Sequence, residues 1–167
     1  MGKNVVIIGG VACGSKVAAR LRRLDPEAAI TVLERGYFPS YAGCGMPYFL
    51  SGVVSDYRAL TSTAIGIERD AAFFRKVKHV EMLTRHEATH IDREGRVVTA
   101  VNLETGEERR FPYDVLVLAL GAQSVRPNLP GNELKGVFSL GTLEDALEIS
   151  RALEKGAVRR AVVVGSG

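Results

Sequence analysis

Apolar positions in this chain follow two rhythms, and the alternation between them outlines the fold. Residues 4–8 are dominated by β-branched side chains and close at Gly9-Gly10, the pattern of a strand buried on both faces of a parallel sheet. Over residues 14–24, Val17, Ala18, Leu21 and Leu24 recur at helical spacing, and Asp25-Pro26 closes that helix. Residues 29–33 form a second apolar run that ends at Glu34. Strand, helix and strand in this order make a βαβ unit, whose right-handed crossover sets the two strands side by side.

Residues 35–55 read as loop, with one short apolar turn at 47–50 closed by Ser51-Gly52. A second helix is predicted over residues 66–78 and a third parallel strand over 79–84. The texture then changes. Residues 86–92, 96–103 and 108–112 are strand-like and separated by Arg93-Glu94-Gly95 and Glu104-Thr105-Gly106, which signals a β-meander. Residues 114–120 read as another buried parallel strand, ending at Gly121-Ala122. A helix over residues 143–153 opens at Thr142 with Asp145 three positions on, close to a capping box. Residues 160–167 repeat the texture of residues 3–10. The expectation is one domain over 1–156, with 157–167 as the opening strand of a second domain that is cut short.

Composition narrows the class. Of 167 residues, 46% are hydrophobic and 25% charged, with a net charge of +3, which excludes a disordered chain. Two cysteines, Cys13 and Cys44, cannot make a disulfide framework. No apolar run nears the roughly 20 residues that cross a bilayer, and the N-terminus lacks a secretory cleavage pattern. A cytoplasmic, reducing location is the default expectation, where a free thiol serves chemistry. Neither nucleic acid nor membrane is an expected partner, since basic residues are not interleaved with aromatics and no amphipathic membrane stretch stands out. His79, His86 and His90 lack partners at ligand spacing, so no metal site is expected.

The glycines cluster where chemistry is expected. Gly9-Gly10-Val11-Ala12-Cys13-Gly14 joins strand to helix. In a dinucleotide-binding turn the first glycine bends the chain, the second admits a pyrophosphate, and the third lets helix and strand approach. Here the first and third are Gly9 and Gly14, while Val11 holds the second position. Glu34 follows Gly14 by about 20 residues at a strand end, where a carboxylate accepts ribose hydroxyls and disfavours a 2′-phosphate. FAD or NAD is therefore the expected ligand, on an α/β, Rossmann-like fold with a parallel sheet, flanking helices and a β-meander crossover.

Ser40-Tyr41-Ala42-Gly43-Cys44-Gly45-Met46-Pro47-Tyr48 resembles the active-site stretch of single-cysteine, FAD-dependent pyridine nucleotide-disulfide oxidoreductases. Coenzyme A-disulfide reductases, NADH-dependent persulfide reductases, NADH oxidases and NADH peroxidases make up that group. The resemblance extends along the chain through residues 113–122 and through residues 137–146. It implies Cys44 as the catalytic thiol and FAD held by Gly9, Gly10, Val11, Ala12, Gly14, Glu34, Arg35, Ser40, Ala88 and Gly121. It also implies NAD(P)H as donor to the intact enzyme, a small thiol or disulfide substrate such as coenzyme A, and a homodimer at full length. The residues add a physical case: Pro47 suits the first position of a short helix, so Cys44 lies just ahead of a helix start that favours a thiolate. Gly43 and Gly45 would admit a flat ring.

No second cysteine lies near Cys44, so an oxidised Cys44 must pair with a small thiol or become a sulfenic acid. Ala12, where oxidases and peroxidases of the group commonly have His, points to the coenzyme A or persulfide branch. Two other readings stay open: an oxidase or peroxidase cycling a Cys44 sulfenic acid, and an inactive FAD-binding fragment. Cys13 and Leu120 depart from the group's pattern. Cys13 reads as a tolerated small side chain, with a Cys13–Cys44 disulfide as an alternative. Lys16, Arg20 and Arg23 share a face of the first helix. The resemblance nominates them, with Ser40, Gly43 and more weakly Lys76 and Lys78, for the substrate; a solvated helix face is the competing explanation.

Overall fold

A computed structural model describes residues 2–154, 156 and 158–165. The first βαβ unit forms as predicted, with β1 (Asn4–Ile8), α1 (Cys13–Leu24) and β2 (Ala29–Glu34). After a 3-10 turn at Gly43–Gly45 come α2 (Met46–Leu50), α3 (Arg58–Thr61) and α4 (Ala71–Lys78). Then follow β3 (Glu81–Thr84), the meander β4 (His86–Asp92), β5 (Val97–Asn102) and β6 (Glu108–Pro112), β7 (Val115–Leu118) and α5 (Leu143–Glu154).

β3, β2, β1 and β7 form a parallel sheet in that spatial order, and β4, β5 and β6 form a separate antiparallel sheet. Side chains alternate along each strand, so one ribbon serves two cores. Val5, Ile7, Ile30, Val32 and Met82 face α1 and α4, meeting Ala18 and Phe74. Val6, Ile8 and Leu33 face the other way, onto Val98, Ala100 and Phe111 of the meander. A third cluster gathers Met46, Leu60, Leu143 and Ala146, joining α2, α3 and α5.

Several elements differ from the sequence reading. Among them is β7, which runs over Val115–Leu118 rather than 114–120 and is partly exposed rather than buried, because among the described residues it pairs on one side only. The second helix starts at Ala71 rather than residue 66, because Asp70 caps it by accepting the Phe73 N–H (2.7 Å). Residues 62–68 ahead of it form a turn closed by a Ser62–Glu68 bridge. The third strand begins at Glu81, since His79 takes a left-handed conformation (φ 50°) that ends α4. Residues 158–165 join no ladder, with Val162, Val163 and Val164 all more than four-fifths exposed, and no strand among the described residues lies beside them. Residues 157, 166 and 167 of that expected strand lie outside the described residues.

Candidate functional site

The site is built at the carboxyl ends of β1, β2 and β7, where ligands of open α/β sheets bind. β1 turns into α1 through the glycine run, and two of its glycines have no substitute. A Cβ on Gly14 would stand 1.8 Å from the Gly9 carbonyl oxygen, and one on Gly9 would stand 2.2 Å from the Ala119 carbonyl oxygen. Gly9 also holds a φ of 98°. Gly14 therefore lets α1 approach β1, and Gly9 lets the turn pass the end of β7.

Glu34, at the end of β2, is buried, and its carboxylate ties that strand to the turn. One oxygen accepts the Gly10 N–H (2.6 Å) and the other the Gly36 N–H (2.7 Å). A carboxylate has about four acceptor positions, so the group keeps capacity for hydroxyls. α1 begins without a side-chain cap or an acidic residue in its first turn. Its leading N–H groups and dipole suit an anion. Close backbone approach, open N–H groups and a strand-end carboxylate together fit the diphosphate and ribose of a dinucleotide.

The loop after β2 is pinned to this turn, because the Ser40 N–H donates to the Gly10 carbonyl (3.0 Å). Ser40 takes a left-handed φ of 54° to do so. Cys44 follows four residues later, within about 14 Å of Ser40 by chain length alone. Its side chain is exposed, which disposes of a small buried hydrophobe as the explanation of this thiol. α2 begins at Met46, one residue earlier than predicted, so Pro47 is its second residue.

The two glycines beside Cys44 serve different ends. A Cβ on Gly45 would meet Leu60 Cδ2 at 2.4 Å, so that glycine is fixed by packing rather than by room for a ring. Gly43 has open space, with only the Tyr41 ring at 3.8 Å. Tyr41 is half-buried and faces the Leu143 backbone. Burial, opposed in part by that backbone contact and reinforced by Glu144, Glu34 and Asp145, holds its hydroxyl above the usual phenol range.

Most predicted residues converge here. Val11 and Ala12 lie in the turn, and Gly121 (φ 69°) follows Ala119, whose N–H donates to the Ile8 carbonyl. Arg35 pairs with Glu87 (3.6 Å), the neighbour of Ala88, which lies at a register shift in β4. Lys16, Arg20 and Arg23 are exposed along α1, and none makes an ion pair among the described residues. Lys16 is beside the turn, whereas Arg23 is about 10 Å further along the helix. Lys76 and Lys78 sit on α4, with Lys78 over the Phe73 ring. Leu120 is exposed. Cys13 and Cys44 are free thiols. His86 is buried with Nδ1 2.8 Å from the Thr84 carbonyl, His79 and His90 are exposed, and no cluster suited to a metal occurs among the described residues. No helix of the described residues is long and apolar enough to cross a membrane.

Two residues escaped the sequence reading. Arg22, the neighbour of Arg23, turns inward, and its guanidinium donates to the Ala28 and His79 carbonyls (2.6 and 2.8 Å). Glu144, one residue into α5, accepts the Tyr37 N–H (2.8 Å) beside Glu34. The Thr142–Asp145 capping box marked that helix start, but nothing local linked it to residue 37.

Sheet order, helix placement and the uncapped glycine turn define a Rossmann-like nucleotide-binding domain with a meander on its second face. The sequence pattern of the pyridine nucleotide-disulphide oxidoreductase family matches residues 3–167, and the chain belongs to that family. It is 32% identical over 165 residues to a coenzyme A disulfide reductase of Staphylococcus haemolyticus, covering 99% of this chain and 36% of the relative. Among solved structures it resembles an NAD-dependent persulfide reductase from A. fulgidus, with a TM-score of 0.88 and 42% identity over 92% of this chain and 28% of that one. The reduced CoADR-RHD of Bacillus anthracis gives 0.86 and 33%, over 93% and 27%. The water-forming NADH oxidase of Lactobacillus brevis shares the fold at 22% identity and 0.82, over 92% and 33%. The chain thus spans about a third of the length of the curated relatives it matches.

Proposed function

We propose that this chain is the FAD-holding portion of an NAD(P)H-dependent reductase of disulfides or persulfides, with Cys44 as its redox thiol. The observation that carries the reading is an exposed cysteine in a turn that the Ser40–Gly10 bond fastens to an uncapped, dinucleotide-shaped glycine turn. The N–H groups opening α1 hold the diphosphate, Glu34 accepts ribose hydroxyls, and Arg35, Ala88 and Gly121 border the same ligand. When bound, FAD supplies the electron pair, drawn from NAD(P)H, that returns oxidised Cys44 to the thiolate. Cys44 attacks one sulfur of the substrate, so that a mixed disulfide forms while the other sulfur leaves as thiolate or hydrosulfide. Gly43 keeps the approach to Cys44 open.

Coenzyme A is the favoured thiol carrier. The names of the relatives support it, and Lys16, Arg20 and Arg23 present unpaired cations suited to its phosphates. Residues 1–156 form the FAD portion, and residues 157–167 open the part that takes NAD(P)H. The test uses the longest natural chain carrying this sequence. Cys44→Ser should keep the flavin absorbance of wild type and lose at least about a hundredfold in turnover of coenzyme A disulfide or persulfide. Undiminished turnover ends the reading. Sulfenate trapping with peroxide turnover, and no mixed disulfide with coenzyme A, would shift it to the oxidase or peroxidase chemistry.

A further inference from the structure

Glu34 can serve a ribose only if its carboxylate is held still, and half of that restraint comes from the peptide after it. Its second oxygen accepts the Gly36 N–H, so the path of residues 36 and 37 sets where the carboxylate points. That path is fixed from another part of the chain. Glu144 in the first turn of α5 accepts the N–H of Tyr37, the very next residue. Successive N–H groups of one loop thus feed two different carboxylates. A Cβ placed on Gly36 would lie 3.0 Å from Glu144 Oε1 and 3.1 Å from Glu34 Oε1, so both acids crowd one side of this glycine. α5 is itself anchored: the Thr142 N–H donates to the Asp145 carboxylate, the Asp145 N–H donates to the Thr142 hydroxyl, and Leu143 is fully buried. The loop has a further tie on its far side, where the Arg85 N–H donates to the Gly36 carbonyl (3.2 Å).

We propose that Glu144 is a positioning residue of the dinucleotide site, holding the Gly36–Tyr37 peptide so that Glu34 faces the ribose. The proposal rests on the FAD reading above. Glu144 acts as a hydrogen-bond acceptor and not as a charge, because a second carboxylate beside Glu34 repels it.

The test is a titration of the full chain with FAD, followed by flavin fluorescence. Failure of wild type to bind FAD overturns the parent reading and this one together, and is visible before any variant is made. Given binding, Glu144→Ala should raise the FAD Kd about fivefold, the scale of one ordinary hydrogen bond. Glu144→Gln, which keeps the acceptor, should stay within about twofold. In a Glu34→Gln background Glu144→Ala should add less than about twofold, because it acts through Glu34. Hydrogen exchange of the FAD-free chain gives a reading without flavin: the Gly36 and Tyr37 amides should exchange faster in Glu144→Ala and not in Glu144→Gln. Glu144→Asp, one methylene shorter, should move both readings the same way should Glu144→Ala not fold. An unchanged Kd in Glu144→Ala overturns the proposal with the FAD reading intact, as does the same fivefold loss in the Glu34→Gln background.

Discussion

Tyr41 shows how single residues here do more than their type suggests. Its ring packs with the Met46–Leu60–Leu143 cluster while its hydroxyl meets the Leu143 backbone in the field of three acids. Burial first, then those acids, disfavour the phenolate, so the folded chain holds this proton more tightly than the unfolded one. Stability from this source is complete below about pH 10, the ordinary phenol value, and is lost as pH climbs through the higher folded value. Urea unfolding at pH 8 and pH 11 should show a smaller alkaline loss in Tyr41→Phe than in wild type. Equal losses would remove Tyr41 as the source. Cys44 and Glu34 were legible from the chain because their meaning is local: a thiol between glycines, and a carboxylate closing a strand. Glu144 was not, since its partner lies 107 positions away in sequence.

Elements followed the same division. β1, α1, β2 and the meander were readable because periodicity and turn residues are short-range signals. α4 was read five residues too long: Ile67, inside the predicted span, is exposed and lies in the turn ahead of the Asp70 cap that only the structure shows. Asp70→Ala should cost about 1 kcal/mol in urea unfolding and Asp70→Asn far less, since the amide oxygen still accepts the Phe73 N–H. A cost near zero for Asp70→Ala would show that tertiary packing alone sets that helix start. Gly45 marks the limit of motif reading. Its neighbours in sequence suggest a flavin, whereas its neighbour in space is Leu60.

For the whole molecule, the place of β7 in the sheet was the part no pattern could supply, because β1 takes β7 as a partner across more than a hundred residues. That pairing leaves β7 with no partner on its outer side among the described residues, and Leu118 there is 58% exposed. An open apolar strand is a template for pairing with other chains. The 167-residue chain should therefore associate as its concentration rises, and Leu118→Lys should reduce that association in sedimentation velocity. Identical profiles for the two proteins would show that this margin is inert.

The alternation along β1 couples the layers on either side of it. Were the meander to melt, Val6 and Ile8 would be stripped of cover directly ahead of Gly9, and the glycine turn proposed to take a diphosphate would lose its floor. Heat that loosens the side remote from the helices should thus release a bound nucleotide, by undermining the glycine turn as well as by moving Ala88.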